Sequence, residues 1–235
     1  MAISNSSHSE EIRTLIDKAE NLWKKKQKDE FSKVVREIKK LSSQKNVILR
    51  SLADMYYRLK VFRLALKIFQ KGNEIDPNDI DFYDGIAMCY LELKQYDKAI
   101  ETLDKLLKID ETAVEAWKLQ AYCYNKMKKQ NSAIECLKRA AELTPRNPVI
   151  WHNLGFTYSL IENHREAIKC FKKSIQTDPD DPLTWNKLRL AYYATEEYEK
   201  AEHCRKRVIS LENEQKQKNY QKKMGNEDNV NRLYQ

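Results

Sequence analysis

Apolar and polar positions alternate along this chain at helical spacing, and the whole pattern returns every 34 residues. In the stretch that begins at residue 80, Tyr83, Ile86 and Tyr90 mark one apolar stripe, and Ala99, Leu103 and Leu106 mark a second. Stripes with steps of three and four predict two amphipathic helices per period. The predicted pairs occupy 47–59 and 63–75, 81–93 and 97–109, 114–127 and 131–143, 149–161 and 165–177, and 183–195 and 199–211. Two columns are almost invariant. Alanine stands at 65, 99, 133, 167 and 201, and tyrosine at 56, 90, 124, 158 and 192. A fixed period of this size marks a repeat array, in which one helix pair cannot bury its apolar face alone and must stack on its neighbours.

With units starting at 46, 80, 114, 148 and 182, the fourth position reads Leu49, Tyr83, Trp117, Trp151, Trp185. The seventh reads Leu52, Ile86, Gln120, Leu154, Leu188, and the eighth Ala53, Ala87, Ala121, Gly155, Arg189. Position 24 reads Phe69, Leu103, Leu137, Phe171, Arg205, and position 32 gives Pro77, Glu111, Pro145 and Pro179. Pro148 and Pro182 fall where a first helix begins, a place that tolerates proline because its N–H has no partner anyway. These columns resemble the tetratricopeptide repeat, over residues 46 to 211. The resemblance implies an all-α, right-handed solenoid of helical hairpins, about five 34-residue units with an N-terminal helical cap. Arg189 and Arg205 depart from the pattern. Either would be costly if buried without a partner, so the last unit is expected to present a wet outer face.

The flanks carry less pattern. Residues 10–45 read as two further helices, with Leu15, Ala19 and Leu22 on one face and Phe31, Val34, Val35, Ile38 and Leu41 on another. Taking Ile12 as position 1 puts Ala19 at position 8 and Val35 at position 24. A degenerate sixth repeat and a plain capping hairpin both fit. Residues 1–9 are polar and expected to be disordered. Residues 212–223 are expected to extend the last helix as a polar cap, with 224–235 fraying around Gly225, Asn226 and Asn229.

Composition narrows the setting. The 235 residues include four glycines and five prolines, few enough for a chain that is nearly all helix. No apolar run approaches the roughly 18 residues of a membrane span, and no signal-peptide core opens the chain, so the expected location is cytoplasmic. The Asn5-Ser6-Ser7 sequon carries little weight there. Cys89 and Cys123 stand one period apart, as do Cys136, Cys170 and Cys204. Equivalent sites in neighbouring units are about a helix-packing distance of 8–10 Å apart, more than the ~7 Å a disulfide allows, so free thiols are expected. None of the four histidines has a His or Cys three or four residues away, and no metal or other cofactor is expected. The acidic run from Asp76 to Asp84 has Tyr83 at the third ligand position of a calcium loop, so a proline-led repeat junction explains it better. No phosphate loop or nucleophile motif appears, and an enzyme is not expected.

The net charge of +8 raises nucleic acid as a partner. However, Lys24-Lys25-Lys26, Lys128-Lys129 and Arg205-Lys206-Arg207 fall at separate heights of the array, and residues 46–113 hold 12 acidic against 10 basic residues. Phosphate tracking needs one continuous stripe. Nucleic acid is therefore the lesser reading, with a self-associating assembly factor as a third.

The resemblance implies that positions 2, 5, 6, 9, 12 and 13 of each unit face a concave groove that binds a protein segment. Early units put Arg50, Asp54, Asp81, Asp84 and Glu92 there, a mostly acidic end. Later units put Lys118, Leu119, Tyr122, Lys126, His152, Asn153, Phe156, Leu160, Lys187, Leu190 and Tyr193 there. The expected partner is a peptide or C-terminal segment with apolar anchors and acidic flanks. Some members of the family grip a chaperone's C-terminal carboxylate with a five-residue clamp. Lys118, Asn153 and Lys187 occupy clamp positions here. Tyr122 stands where the clamp has Asn, Leu183 where it has Lys, and Lys187 where it has the forked Arg.

Overall fold

The computed structural model describes residues 2–40 and 45–233, with side chains described for 10–40 and 46–221. Among them there are twelve helices and no strand. The chain divides into two compact units, 1–127 and 128–235. Leu41, expected on an apolar face, lies outside the described residues.

The first unit holds α1 (Ala2–Lys24), α2 (Lys28–Lys40), α3 (Lys45–Arg58), α4 (Phe62–Ile75), α5 (Ile80–Glu92), α6 (Tyr96–Ile109) and α7 (Val114–Lys126). Each helix packs on the next within its hairpin, and first helices also pack on first helices, α1 on α3 and α3 on α5. The second unit holds α8 (Gln130–Leu143), α9 (Pro148–Leu160), α10 (His164–Thr177), α11 (Pro182–Ala194) and α12 (Tyr198–Leu233). There α9 packs on α8, α10 and α11, and α11 on α12.

The periodic residues explain the geometry. All five alanines of the column at 65, 99, 133, 167 and 201 are fully buried, so two helices close on a methyl group at each. Glycines sit where a facing phenylalanine leaves no room for a side chain. A Cβ on Gly155 would lie 2.7 Å from the Phe171 ring, so the phenylalanine fills the space that a side chain would need. Gly85 faces Phe69 in the same way, at 2.5 Å. Gln120, polar at a position that is apolar elsewhere, is buried and donates from Nε2 to Asp104 Oδ1 at 2.5 Å. The indole N–H groups of Trp117, Trp151 and Trp185 donate to the carbonyls of Glu111, Pro145 and Pro179, six residues back each time. Asp79, Asn147 and Asp181, also one or two periods apart, cap α5, α9 and α11 through their side chains.

Six residues hold positive φ: Lys26, Lys60, Lys94, Lys128, Glu162 and Glu196, each 34 from the next. They end first helices, with Lys60 N–H donating to Tyr57 O and Val61 N–H to Tyr56 O, the paired bonds that close a helix through one left-handed residue. Lys26 and Gln27 make the same two bonds to Trp23 and Leu22. The α1–α2 hairpin thus turns in phase with the repeats. It differs at the alanine column, where Phe31 stands and packs on Trp23 and Tyr56.

Helix reaches far into both chain ends. Helix α1 starts at Ala2. Helix α12 runs unbroken to Leu233, and the last two residues of the stretch where fraying was expected lie outside the described residues. Adding a residue to an existing helix costs far less than starting one, and neither stretch contains proline. Gly225 lowers helix propensity by about 1 kcal/mol and does not stop the helix.

Candidate interaction surfaces

The second unit exposes a row of large apolar side chains on its first helices. On α9 these are Val149, Phe156 and Leu160, and on α11 they are Leu183, Leu190 and Tyr193. Phe156 and Leu190 share position 9, and Val149 and Leu183 share position 2. None belongs to the buried cluster of Ala167, Phe171, Leu188, Ala191, Tyr192, Ala201 and Cys204. Cations lie over the aromatic members: Lys187 Nζ is 5.2 Å from the Phe156 ring centre, and the Arg189 guanidinium is 5.7 Å from Tyr193. Tyr193 also meets Tyr198 edge-on at 5.9 Å.

Arg189 is half-buried and donates from Nε and one Nη to Asn186 Oδ1 at 3.0 and 2.8 Å, so the charge enters no apolar interior. Arg205 is exposed and pairs with Glu202 at 2.8 Å.

His152 is half-buried beside this row. Its Nδ1 lies 2.6 Å from Thr184 Oγ1, and that hydroxyl donates to the Asp181 carboxylate. A hydroxyl has one proton to give, so Nδ1 is the donor toward Thr184. Burial holds the imidazole pKa below its usual value, Asp181 opposes the shift and Lys187 adds to it. The ring is therefore neutral near pH 7. Asn153, one turn before Phe156 and Thr157, is half-buried.

In the first unit, Tyr122 is exposed with Lys126 Nζ 5.0 Å above its ring, and Lys118 is tied to Glu115 at 2.7 Å. Leu119, expected to face the groove, packs instead against the core formed by Ala87, Leu103, Leu106 and Ala116. The ten residues expected to form one surface thus divide between the units. Tyr122 with Lys126 lies in one, and Phe156 with Lys187, and His152 with its Thr184 partner, lie in the other.

The first unit carries a charged surface that the sequence only partly disclosed. Two cavities share Asp54 in their walls. One, of about 300 Å³, is lined by Arg50, Asp54, Tyr57, Phe69, Asp81, Asp84, Gly85 and Met88. The other, of about 460 Å³, includes Arg13, Ile16, Asp17, Glu20, Val47, Ser51 and Arg58. Arg50 pairs with both Asp79 and Asp81, and Arg58 with Glu20 at 2.6 Å. Asp84 has a raised pKa because it is desolvated and because Asp81, Glu115 and Asp54 repel its charge. Asp54 is also raised by burial, with Arg58 and Arg50 opposing. The Tyr57 hydroxyl is pushed up to about 12 by burial and by Glu92, to which it donates at 3.3 Å. Arg13, Ile16, Asp17 and Glu20 sit at the groove offsets if Ile12 is position 1. The signal was available in the 34-residue spacing of α1, but the missing alanine at Phe31 hid it.

The five cysteines are buried free thiols. Burial raises the pKa of Cys89 to about 12 and those of Cys123, Cys170 and Cys204 to about 11, so these four are unreactive at neutral pH. Among the described residues no group of three or more His, Cys, Asp or Glu side chains could hold a metal ion, and no helix is long and apolar enough to cross a membrane.

Periodic buried alanines, in-phase left-handed turns and repeated Trp-to-carbonyl bonds define a class of helical-hairpin repeat proteins. Three family models match: two described as tetratricopeptide repeat, at 60–123 and 148–181, and one as TPR repeat, at 121–160. Their matches run without a gap from 60 to 181, and the chain belongs to the tetratricopeptide repeat family. No curated protein sequence matches it. Among solved structures it is similar to MamA, at 23% identity and a TM-score of 0.67, over 70% of this chain and 96% of that one. It is similar to MamA 41-end from Desulfovibrio magneticus RS-1, at 20% identity and 0.68, over 74% and 98%. It is also similar to YrrB, titled a TPR protein with an unusual peptide-binding site, at 19% identity and 0.61, over 74% and 90%. At these identities the likeness shows the fold.

Proposed function

We propose that this protein is an interaction scaffold whose second unit binds an extended peptide or short helix of a partner protein across α9 and α11. The observation that carries this reading is the row of exposed apolar residues on α9 and α11, in which Phe156 and Leu190, and Val149 and Leu183, repeat one register position, with Leu160 and Tyr193 beside them. Exposed apolar patches on a folded protein mark sites that another molecule covers. The flanking cations, Lys187 and Arg189, suit a segment with apolar anchors and acidic residues or a C-terminal carboxylate beside them. The peptide-binding site of YrrB supports binding of this general kind. The chain's family supports a non-catalytic adaptor.

The test is selection of a displayed peptide library on the full chain, repeated on the Phe156→Ala/Tyr193→Ala variant. Enriched sequences should carry apolar anchors with Asp or Glu and should be lost on the variant. Their affinity should change little between 50 and 200 mM salt. Equal enrichment on both proteins would refute the placement. Preferential capture of DNA or RNA, with a loss of about 10³-fold over that salt range, would replace the reading with the nucleic-acid one.

A further inference from the structure

The second unit has a cavity that the row on α9 and α11 does not use. It measures about 360 Å³ and opens between α8 and α10, the second helices of their hairpins. Ala141, Trp151, Leu154, Tyr158 and Cys170 give it apolar walls, and Lys138, Glu142, Glu166, Lys169 and Lys173 stand around them. None of the residues at groove offsets lines it, so the site is separate from the one proposed above.

The charges around this cavity do not cancel. Arg139 holds Glu142 at 3.1 Å, and Lys169 holds Glu166 at 2.6 Å, which leaves both carboxylates neutralised. Lys138 and Lys173 are exposed and have no ion-pair partner among the described residues. The Lys173 ammonium rests 3.9 Å from the centre of the Trp151 ring, a cation–π contact that leaves its outer side free for an anion. The cavity therefore joins an apolar interior, roomy enough for one large side chain, to two uncompensated cations at its edge. Small apolar pockets with a few convergent polar groups are the usual form of a recognition site.

We infer that this cavity is a second docking site, which takes a bulky apolar side chain carried on an acidic segment of a partner protein. The apolar side chain enters against Trp151, Leu154 and Tyr158, and flanking carboxylates meet Lys138 and Lys173. The opening lies along two exposed helices, which gives a chain room to continue on both sides of the anchor, and complementary charge sets its sign.

The probe is a capped Asp-Glu-Asp-Phe-Asp-Glu peptide titrated into the isotope-labelled full chain and followed by NMR. Shifts should cluster on the amides of α8 and α10 and on the Trp151 indole N–H. Lys138→Glu with Lys173→Glu should weaken binding at least tenfold with the circular dichroism unchanged, and the milder Lys138→Gln/Lys173→Gln pair about threefold. Phe156→Ala/Tyr193→Ala should leave this binding intact, which separates failure here from failure of the groove reading. The Glu pair should in turn bind a Lys-Lys-Phe-Lys-Lys peptide. Shifts confined to α9 and α11, equal binding of the peptide with Ser for Phe, or no weakening in either lysine variant would overturn the assignment. Phenylacetate binding as tightly as the peptide would also overturn it, in favour of a small carboxylate.

Discussion

The two units share one repeat and use it in opposite ways. Both bury alanines in the same column, close their hairpins with the same left-handed turn and cap first helices with Asp or Asn side chains. Their first helices differ in what they leave outside. In 1–127 the cavities along α1, α3 and α5 are walled by Asp17, Glu20, Asp54, Asp81 and Asp84, with Arg13, Arg50 and Arg58 among them. In 128–235 the first helices instead expose Val149, Phe156, Leu160, Leu183, Leu190 and Tyr193, with Lys187 and Arg189 against the rings. The comparison teaches that the residues which make the fold and those which choose a partner occupy different columns of the repeat. One set can be held while the other is rewritten.

The sharpest way to break the comparison is to damage one tightly packed glycine contact in each unit at a time. Gly85→Leu drives a side chain into the Phe69 ring, and Gly155→Leu does the same to Phe171. Alanine would be a poor test, because its gain in helix propensity of about 1 kcal/mol works against the clash. Leucine should cost about 3 kcal/mol, the upper end of the range for overpacking. Hydrogen exchange read by mass spectrometry should show lost protection over α3–α6 for Gly85→Leu and over α9–α12 for Gly155→Leu. Equal loss in both units from either change would mean that they do not behave as separate bodies.

The second test rewrites the partner-choosing columns and leaves the shared ones alone. Phe156→Ala with Tyr193→Ala should weaken a selected apolar, acidic-flanked peptide at least tenfold, or about 1.4 kcal/mol, with helicity unchanged. Asp81→Ala with Asp84→Ala should leave that peptide's affinity within twofold. Titration calorimetry decides between them. A critical acidic pair beside a silent aromatic pair would reverse the roles assigned to the two units.

Most of the fold was legible because it depends on periodic identity. Columns such as Ala65 to Ala201 and Tyr56 to Tyr192 state the period directly, and two stripes per period give two helices. The first hairpin was ambiguous because Phe31 replaces the alanine, and its phase is seen in the turn at Lys26, a backbone property that a lysine does not announce. The site was less legible. Phe156, Leu190 and Tyr193, read from family offsets, are exposed, whereas Leu119 at the same kind of offset is partly buried against the core. Exposure depends on how far neighbouring helices overhang a position, and one sequence column does not carry that. The cavity between α8 and α10 was invisible for the same reason, since its walls come from three helices and ten different repeat positions.

A smaller effect tests the turn that the units share. Lysine or glutamate in a left-handed turn carries steric cost that glycine escapes. Lys94→Gly in the first unit and Glu196→Gly in the second should each stabilise by about 0.5–1 kcal/mol, since both side chains are exposed and the φ values are 57° and 60°. Thermal melts should rise in both. A rise in one and a fall in the other would show that the turn is not equivalent in the two units.

The smallest expected effect is also the one that most directly opposes the units, because their shifted groups titrate in opposite senses. Asp54 and Asp84 have raised pKa values in the folded first unit, so the folded state binds protons more readily than the unfolded one. Acidification from neutral pH toward their ordinary value near 4 should therefore favour folding there, as the desolvated carboxyls are neutralised and the repulsion from neighbouring carboxylates eases. His152 has a lowered pKa in the second unit, so the unfolded state takes up its proton first, near pH 6.5. Below that pH the folded second unit should lose stability, with Asp181 softening the loss and Lys187 adding to it. Amide exchange at pH 7 and pH 5, corrected for intrinsic rates, should show α3 and α5 better protected at the lower pH and α9 and α11 less so. His152→Gln should remove the loss in α9 and α11 and leave the gain in α3 and α5 untouched. If acid weakened both units equally and His152→Gln changed neither, carboxylates common to the two units would control the response. The contrast between a repelling acidic surface and a neutral imidazole beside an apolar one would then have no thermodynamic weight.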